Sequence, residues 1–379
     1  MKNKRVLFIT GTRADFGKLK PLIKAVDEST NFDYQIFGTG MHTMAKYGNT
    51  ILEIQRSGLS NLFTFINQTE GEDMEVILAN TVIGLSRYLS ENIFDLIVVH
   101  GDRVEALAGA TVGALRNIRV AHVEGGEISG TVDELMRHAI SKLSHLHFVA
   151  TDTAKSRLEQ LGEKAETVIK IGSPDSDILL GKSLPSIKEV RRRYQIDFPK
   201  FAIAMLHPVT TDIKNQALHA KVWRESMLAT EDNYVLIYPN NDSGSQYIFD
   251  AINTLKEHPK FKIFPSLRFE YFLTLLKNAQ YLIGNSSAGI HEAPMCGIPT
   301  INIGSRQHNR FTHSSIFNAS FEIDAILKAH STIANTISFE KTSHYGDGNS
   351  AEKFMSVLNS NAWLVSNQKT FQDLDLANV

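Results

Sequence analysis

Short apolar runs rich in β-branched residues alternate with longer amphipathic stretches along almost the whole chain, and this alternation limits the fold more than any other feature. A strand buried on both faces reads as an unbroken apolar run, and parallel strands need a crossover between them that is usually a helix. The pattern predicts parallel sheets covered by helices, an α/β chain. Residues 6–10, 34–38, 96–100, 120–124, 147–150 and 168–171 read as strands of a first sheet. Residues 74–89, apolar at Val76, Ile77, Val82, Ile83, Leu85 and Leu89, and residues 104–115 read as covering helices.

At 379 residues the chain exceeds what a single core usually supports. The segment 181–200 interrupts the alternation with LPSIKEVRRRYQIDFPK, two prolines and a cluster of basic residues. It is expected to be a hinge between a first Rossmann-like domain, 1–180, and a second, 201–349. The second has predicted strands at 201–206, 235–238, 262–264, 281–283 and 300–303. The tail, about 350–379, is expected to supply a helix over 350–363 that packs back on the first domain.

Charge narrows the function classes. With 39 basic against 41 acidic residues, the chain lacks the electrostatic footprint of a general nucleic-acid or membrane-surface binder. Any anionic ligand must be met by local positive groups. The single cysteine, Cys296, cannot close an intrachain disulfide, which fits a reducing cytoplasm. The opening MKNKRVLFITGTRADFG has too short an apolar run for a signal peptide, and no stretch nears the roughly 20 apolar residues of a membrane span. A cytoplasmic protein is expected.

In open parallel sheets ligands bind beyond the carboxyl ends of the strands, so the residues just after each strand carry the functional reading. After the first strand, GTRADFGK offers a tight turn at Gly11, backbone N–H groups at a helix start and a guanidinium at Arg13. VVHGDRVEALAG and AHVEGGEISGTVDE place His100, Asp102, Arg103, Glu124, Glu127 and Asp133 near strand ends. Ionisable groups so gathered are costly unless paired or functional. Asp102 and Asp133 also suit helix caps. Glu124 ends an apolar strand and precedes two glycines, so its carboxylate is expected to point into a cleft. In the second half His207 and Asn240 follow strands, and Ser286 and Ser287 of GNSSAG lie where a strand turns into a helix suited to a diphosphate. Glu292, one to two turns into that helix, is placed to accept both hydroxyls of a ribose. Each also has a bland reading: serines as caps, Glu292 on a solvated face, His207 hydrogen-bonded before Pro208.

With GTRADFGKLKPL, HGDRVEALAGA, HVEGGEISGTVDE, HPVT, GNSSAGIHEAP and GSRQ in this order, the chain resembles the UDP-N-acetylglucosamine 2-epimerase family over essentially its full length. The resemblance implies a glycosyltransferase-B-like fold, two Rossmann-like domains facing a central cleft that holds the nucleotide sugar. Ala14, Asp15, Phe16 and Gly17 after GTR, where non-hydrolysing members carry Pro-Glu, resemble the hydrolysing branch, as does GEISGTVDE. That branch releases UDP and N-acetylmannosamine, the entry to sialic acid synthesis. Close bacterial members act instead on UDP-2,4-diacetamido-2,4,6-trideoxyglucose.

The resemblance implies elimination of UDP to 2-acetamidoglucal, then hydration from the opposite face. Two proton transfers and an activated water call for several acid/base groups with separated pKa values. Asp102, Glu124 and Asp133 are the candidates, with His207, Arg13, Arg103, Ser286 and Ser287 for the departing diphosphate. Glu292 is expected at the ribose, and the resemblance extends the nucleotide site to Asn240, Phe272 and Arg306. No metal or other cofactor is expected, since His100, His122, His138, His145 and His147 lack compact ligand spacing; His145 and His147 are expected to be structural. A homodimer or dimer of dimers is expected, with the apolar helix over 74–89 at the interface. The rivals are non-hydrolysing epimerisation, a glycosyltransferase on the same architecture, and a non-catalytic nucleotide-sugar binder.

Overall fold

The computed structural model describes residues 3–129 and 131–373. Among these, 3–127, 133–181 and 344–373 form one compact unit, and 128–129, 131–132 and 182–343 form a second.

The first unit is built on seven parallel strands: β1 (Lys4–Thr10), β2 (Phe32–Gly38), β3 (Leu62–Thr64), β4 (Leu96–His100), β5 (Arg119–Val123), β6 (Leu146–Val149) and β7 (Val168–Lys170). Their order is β3-β2-β1-β4-β5-β6-β7. The covering helices are α1 (Arg13–Asp27), α2 (Ile51–Arg56), α3 (Met74–Glu91), α4 (Val104–Leu115), α5 (Val132–Leu143), α6 (Asp152–Gln160) and α7 (Asp175–Leu180). β4 is buried at all five positions, which explains its unbroken apolar sequence. β3, three residues with two exposed, is too short and too open to leave a sequence signal.

The second unit repeats the design with six parallel strands, β8 (Ala202–Met205), β9 (Tyr234–Ile237), β10 (Phe261–Phe264), β11 (Leu282–Gly284), β12 (Thr300–Ile303) and β13 (Ile316–Ala319), ordered β10-β9-β8-β11-β12-β13. Its helices are α8 (Ile187–Tyr194), α9 (Gln216–Leu228), α10 (Ser245–Asn253), α11 (Phe269–Lys277), α12 (Glu292–Cys296) and α13 (Ile323–Ala334). Thus the segment 181–200, expected as a hinge, holds a helix of the second unit. Ser186 caps α8, Val190 is buried, and the Tyr194 hydroxyl accepts the backbone N–H of Arg268 at 3.1 Å. Its basic run forms the exposed side of an amphipathic helix.

The last helix, α14 (Ser350–Asn359), lies in the first unit, although about 160 residues of the second separate it from α7. Phe354 is fully buried, with ring centroids 6.5 Å from Phe8 of β1 and 4.9 Å from Phe148 of β6. Trp363 packs edge-on to Phe32. The segment after it is tied down by Lys369, whose ammonium donates to the carbonyls of Lys142 and Ser144 at 3.0 and 2.6 Å and to Glu163 at 2.6 Å. Residues 374–379 of the expected tail lie outside the described residues.

Candidate functional site

Both sheets reverse their strand order beside the first strand, between β1 and β4 and between β8 and β11. Loops diverge at such a reversal and leave a crevice at the carboxyl edge. In the first unit that edge carries Arg13 and Lys18 after β1, His100 and Asp102 at β4, and Glu124 after β5.

Glu124 has φ of 70°, a left-handed conformation uncommon for a residue with a side chain. Such a conformation costs about 1–3 kcal/mol and persists where neighbouring contacts fix it. Here the backbone N–H donates to the Phe148 carbonyl at 3.0 Å. The carboxylate is 7% exposed, and Oε2 accepts from the Lys18 ammonium at 2.9 Å. His100 Nε2 lies 3.1 Å from the same oxygen, within ion-pair reach though not aligned as a hydrogen bond. On the far side of Lys18, Asp175 Oδ2 stands 3.8 Å from Nζ.

Asp102 is held by Arg137, which is 1% exposed and also donates to the Glu127 carbonyl at 3.1 Å. Asp133 precedes Arg137 by one helical turn on α5 and is buried. Through Arg137 the loop bearing Asp102 is therefore joined to the helix bearing Asp133. Neither aspartate is a cap: Arg103 is the N-cap of α4, and Asp133 lies inside α5.

A buried layer sets these loops. His122 Nε2 lies 2.7 Å from the Gly101 carbonyl and Nδ1 lies 3.0 Å from the Ser141 hydroxyl of α5. A carbonyl only accepts, so Nε2 carries the proton and Nδ1 accepts. Burial pushes this imidazole down to about 3, which keeps it neutral. On the adjacent strand His147 bonds Glu163 at 2.9 Å, and His145 Nε2 meets the Asn367 carbonyl at 3.0 Å. These two histidines join structural elements.

The turn after β1 departs from expectation. Its backbone donors, expected to greet an anionic ligand, are occupied by Asp15: the N–H groups of Gly11 and Thr12 each donate to it at 3.0 Å, and Thr10 donates its hydroxyl. Thr12 accepts from the Asp15 N–H in return, completing a capping box. Gly11 is needed for close approach, since a Cβ there would lie 2.7 Å from Cδ of the buried Glu105. Arg13 has Nη2 3.7 Å from Glu53, and Arg103 has Nε 3.9 Å from Glu105.

In the second unit Asn285, the residue after β11, clamps His207, the second residue after β8: its Oδ1 accepts the His207 N–H at 2.7 Å and its Nδ2 donates to the His207 carbonyl at 2.9 Å. His207 Nδ1 accepts the Asn240 N–H at 3.1 Å, so a neutral imidazole carries its proton on Nε2. Arg306 donates to the Asn285 carbonyl at 3.2 Å. Ser286 caps the short 3-10 turn Ser287–Gly289, accepting from Ala288 N–H at 3.3 Å, and α12 starts only at Glu292. Glu292 therefore opens a five-residue helix, not a position one to two turns into a longer one, and at 3% exposure it is no solvated face. Phe272, expected at the nucleotide, lies on α11 and is 7% exposed, its ring stacked 6.5 Å from that of Phe269.

The chain thus gathers His207, Asn240, Ser286, Glu292 and Arg306 on one strand edge, and Asp102, Glu124 and Asp133 with Arg13 and Arg103 on the other. Sequence reasoning passed over Lys18, Arg137 and Asn285. Arg137 carried a usable signal, four residues after Asp133 on a helical pattern. Among the described residues no three histidine, cysteine, aspartate or glutamate side chains are grouped to hold a metal ion, and no helix is long and apolar enough to cross a membrane.

Comparison with known proteins gives the family and the fold. The family model described as UDP-N-acetylglucosamine 2-epimerase matches residues 24–359. The chain is 45% identical to the UDP-N-acetylglucosamine 2-epimerase of Neisseria meningitidis serogroup B, over 98% of this chain and 100% of that protein. It is 33% identical to the hydrolyzing UDP-N,N'-diacetylbacillosamine 2-epimerase of Legionella pneumophila, over 94% and 95%. Its fold resembles the crystal structure of the Methanocaldococcus jannaschii UDP-GlcNAc 2-epimerase in complex with UDP-GlcNAc and UDP, with a TM-score of 0.81 at 22% identity over 94% of this chain and 99% of that one. The chain belongs to the UDP-N-acetylglucosamine 2-epimerase family.

Proposed function

We propose that this protein is a hydrolysing UDP-N-acetylglucosamine 2-epimerase, converting UDP-N-acetylglucosamine and water to N-acetylmannosamine and UDP. The observation that carries the reading is Glu124. It is a carboxylate fixed in a strained backbone at a strand end and paired with a buried ammonium, in a sheet edge that also carries Asp102, held by Arg137, and Asp133 on the same helix as that arginine. The 45% identity to a UDP-N-acetylglucosamine 2-epimerase supports the substrate, and the 33% identity to an epimerase named as hydrolyzing supports the outcome.

Carbon 2 of the sugar has no adjacent carbonyl, so a simple enolate cannot carry the charge left by proton removal. Elimination spreads it. A carboxylate takes the carbon 2 proton, the C–H pair becomes the C1=C2 bond, and the C1–O pair leaves with UDP. Water then adds its oxygen to carbon 1 and gives up a proton to one carboxylate while another group delivers a proton to carbon 2 on the other face, giving the manno sugar. Asp102, Glu124 and Asp133 share these transfers, and separate environments for the three suit separate acid and base tasks. Arg13, Arg103, His207 through Nε2–H, Ser286 and Ser287 stabilise the departing diphosphate. Glu292 accepts the ribose hydroxyls, with Asn240, Phe272 and Arg306 beside the nucleotide. The protein acts as a homodimer or dimer of dimers through α3, where Val76 and Ile83 are 42% and 49% exposed next to Ile66 at 69%.

The likeness to the Legionella enzyme favours one second reading, the 2,4-diacetamido-2,4,6-trideoxy substrate. One experiment tests both. UDP-N-acetylglucosamine and its 4-acetamido-6-deoxy analogue are incubated side by side in deuterated water, and products are read by NMR. Free N-acetylmannosamine labelled at carbon 2 with UDP is expected. Exclusive turnover of the analogue favours the second reading, and an intact epimerised UDP-sugar overturns hydrolysis.

A further inference from the structure

Asp175, at the start of α7, is 1% exposed, and neither of its carboxylate oxygens has a hydrogen-bond partner. Buried carboxylates in proteins are ordinarily hydrogen-bonded several times over, because desolvation disfavours the charge. The cation beside Asp175 is the Lys18 ammonium at 3.8 Å, which meanwhile donates to Glu124 at 2.9 Å. Both side chains of that second pair are 8% exposed. One buried ammonium thus stands between two buried carboxylates, bonded to one and within reach of the other.

The arrangement has a consequence for proton transfer. While Glu124 is ionised, Lys18 stabilises it, and that stabilisation alone would make Glu124 a reluctant base. Once Glu124 accepts a proton, the Lys18–Glu124 pair loses its negative member, while the buried Asp175 carboxylate already stands 3.8 Å from the same ammonium. The lysine stem is flexible, and a shift of roughly 1 Å closes the distance from Nζ to Asp175 to that of a charge-assisted hydrogen bond.

We propose that Asp175 is a positioning residue that receives the Lys18 ammonium as Glu124 takes the proton from carbon 2 of the sugar. The proposal rests on the reading of Glu124 as an acid/base group. In the step the carbon 2 C–H bond breaks, its proton passes to Glu124, the electron pair enters C1=C2 and the C1–O pair departs with UDP. Lys18 keeps its three protons throughout and changes partner. On the return of the proton it swings back.

The test compares turnover of UDP-N-acetylglucosamine, protiated or deuterated at carbon 2. Asp175→Asn is expected to lower kcat about tenfold to a hundredfold, as for a misplaced group beside the chemistry, with KM changed less than about threefold. The deuterium isotope effect on kcat should rise, because proton abstraction becomes slower relative to the other steps, and Asp175→Glu should recover part of the loss. In a Lys18→Met background Asp175→Asn should cost less than about twofold, since residues acting through one another are not additive. Should Asp175→Asn fail to fold, the apolar pair Lys18→Met with Asp175→Leu is compared with Lys18→Met alone, and equal kcat is expected. Wild-type kcat and isotope effect in Asp175→Asn, an undiminished penalty without Lys18, or a further large loss in the apolar pair would overturn the proposal. Full activity of Glu124→Gln sinks the underlying reading instead, whereas an inactive Glu124→Gln with a normal Asp175→Asn sinks the role of Asp175 alone.

Discussion

The side chains around β1, β4 and β5 are charged, buried and mutually bonded, so single substitutions there have separable outcomes. Glu124→Gln keeps the shape and removes the base; kcat should fall about 10²–10⁴-fold in a product assay, with the fold intact by circular dichroism. Arg137→Lys replaces a planar fork that spans Asp102 and the Glu127 carbonyl with a point charge, and a loss of about tenfold or more in kcat is expected. His42 belongs to a different chain of bonds. Its Nδ1 lies 2.6 Å from the Thr50 hydroxyl and its Nε2 3.0 Å from Thr10, whose hydroxyl points to Asp15. Burial lowers its pKa to about 4. The neutral form is thus favoured in the folded state, and its contribution is whole above pH 6.5 and is lost as pH falls toward 4. At about 1.4 kcal/mol per pH unit, roughly 3 kcal/mol is involved. Thermal melts from pH 7 to 4 should slope downward, and His42→Asn should flatten the slope; an unchanged slope would discard the assignment.

Among elements, α5 is the one whose placement the chemistry depends on most. It carries Asp133 and Arg137, its Ser141 meets His122, and the carbonyls of Lys142 in its last turn and of Ser144 just past its end accept the Lys369 ammonium. A cation at a helix C-terminus satisfies carbonyls that have no partner inside the helix. Lys369→Met should lower stability by about 1–3 kcal/mol, seen as a lower urea midpoint, because it also strips a partner from buried Glu163. Burial pushes Glu163 up, yet bonds from His147, Lys142 and Lys369 outweigh it and hold the carboxyl at about 2. That stabilisation is present above the ordinary value of 4.5 and disappears as pH drops toward 2.

How much of this was legible follows element by element. β4 and β12 coincide with their predicted ranges because strands buried on both faces are unbroken apolar runs. β13 went unread, having mostly partly exposed residues. The segment 181–200 does hold the change of unit, at Gly181–Lys182, but its composition hides α8, since Pro185 and Pro199 flank the helix and the arginines cover its solvent side. At the site, Glu124 was legible from an acidic residue ending an apolar run. Lys18 was not, since nothing in a helix pattern tells which lysine turns inward to meet a carboxylate 106 positions away. The occupied turn at Gly11 was unreadable for the same reason: Asp15 as cap and Asp15 as solvated charge look alike in sequence.

The exposed apolar side chains of α3, Val76 and Ile83, form a face open to a second copy. Val76→Asp with Ile83→Lys should halve the mass by light scattering if that face joins two copies, and an unchanged mass would place the interface elsewhere. A second consequence concerns how the chain is made. The core around Phe8 and Phe148 is completed by Phe354, Leu358 and Trp363, encoded after the entire second unit. A ribosome therefore exposes the part of that core which α1 leaves open throughout synthesis of some 160 further residues. Domains that fold one after another during synthesis avoid such a wait. Here the unit that begins first must finish last, so a fragment ending at Gly181 should aggregate, and transient cover by a chaperone is the service this sequence order demands.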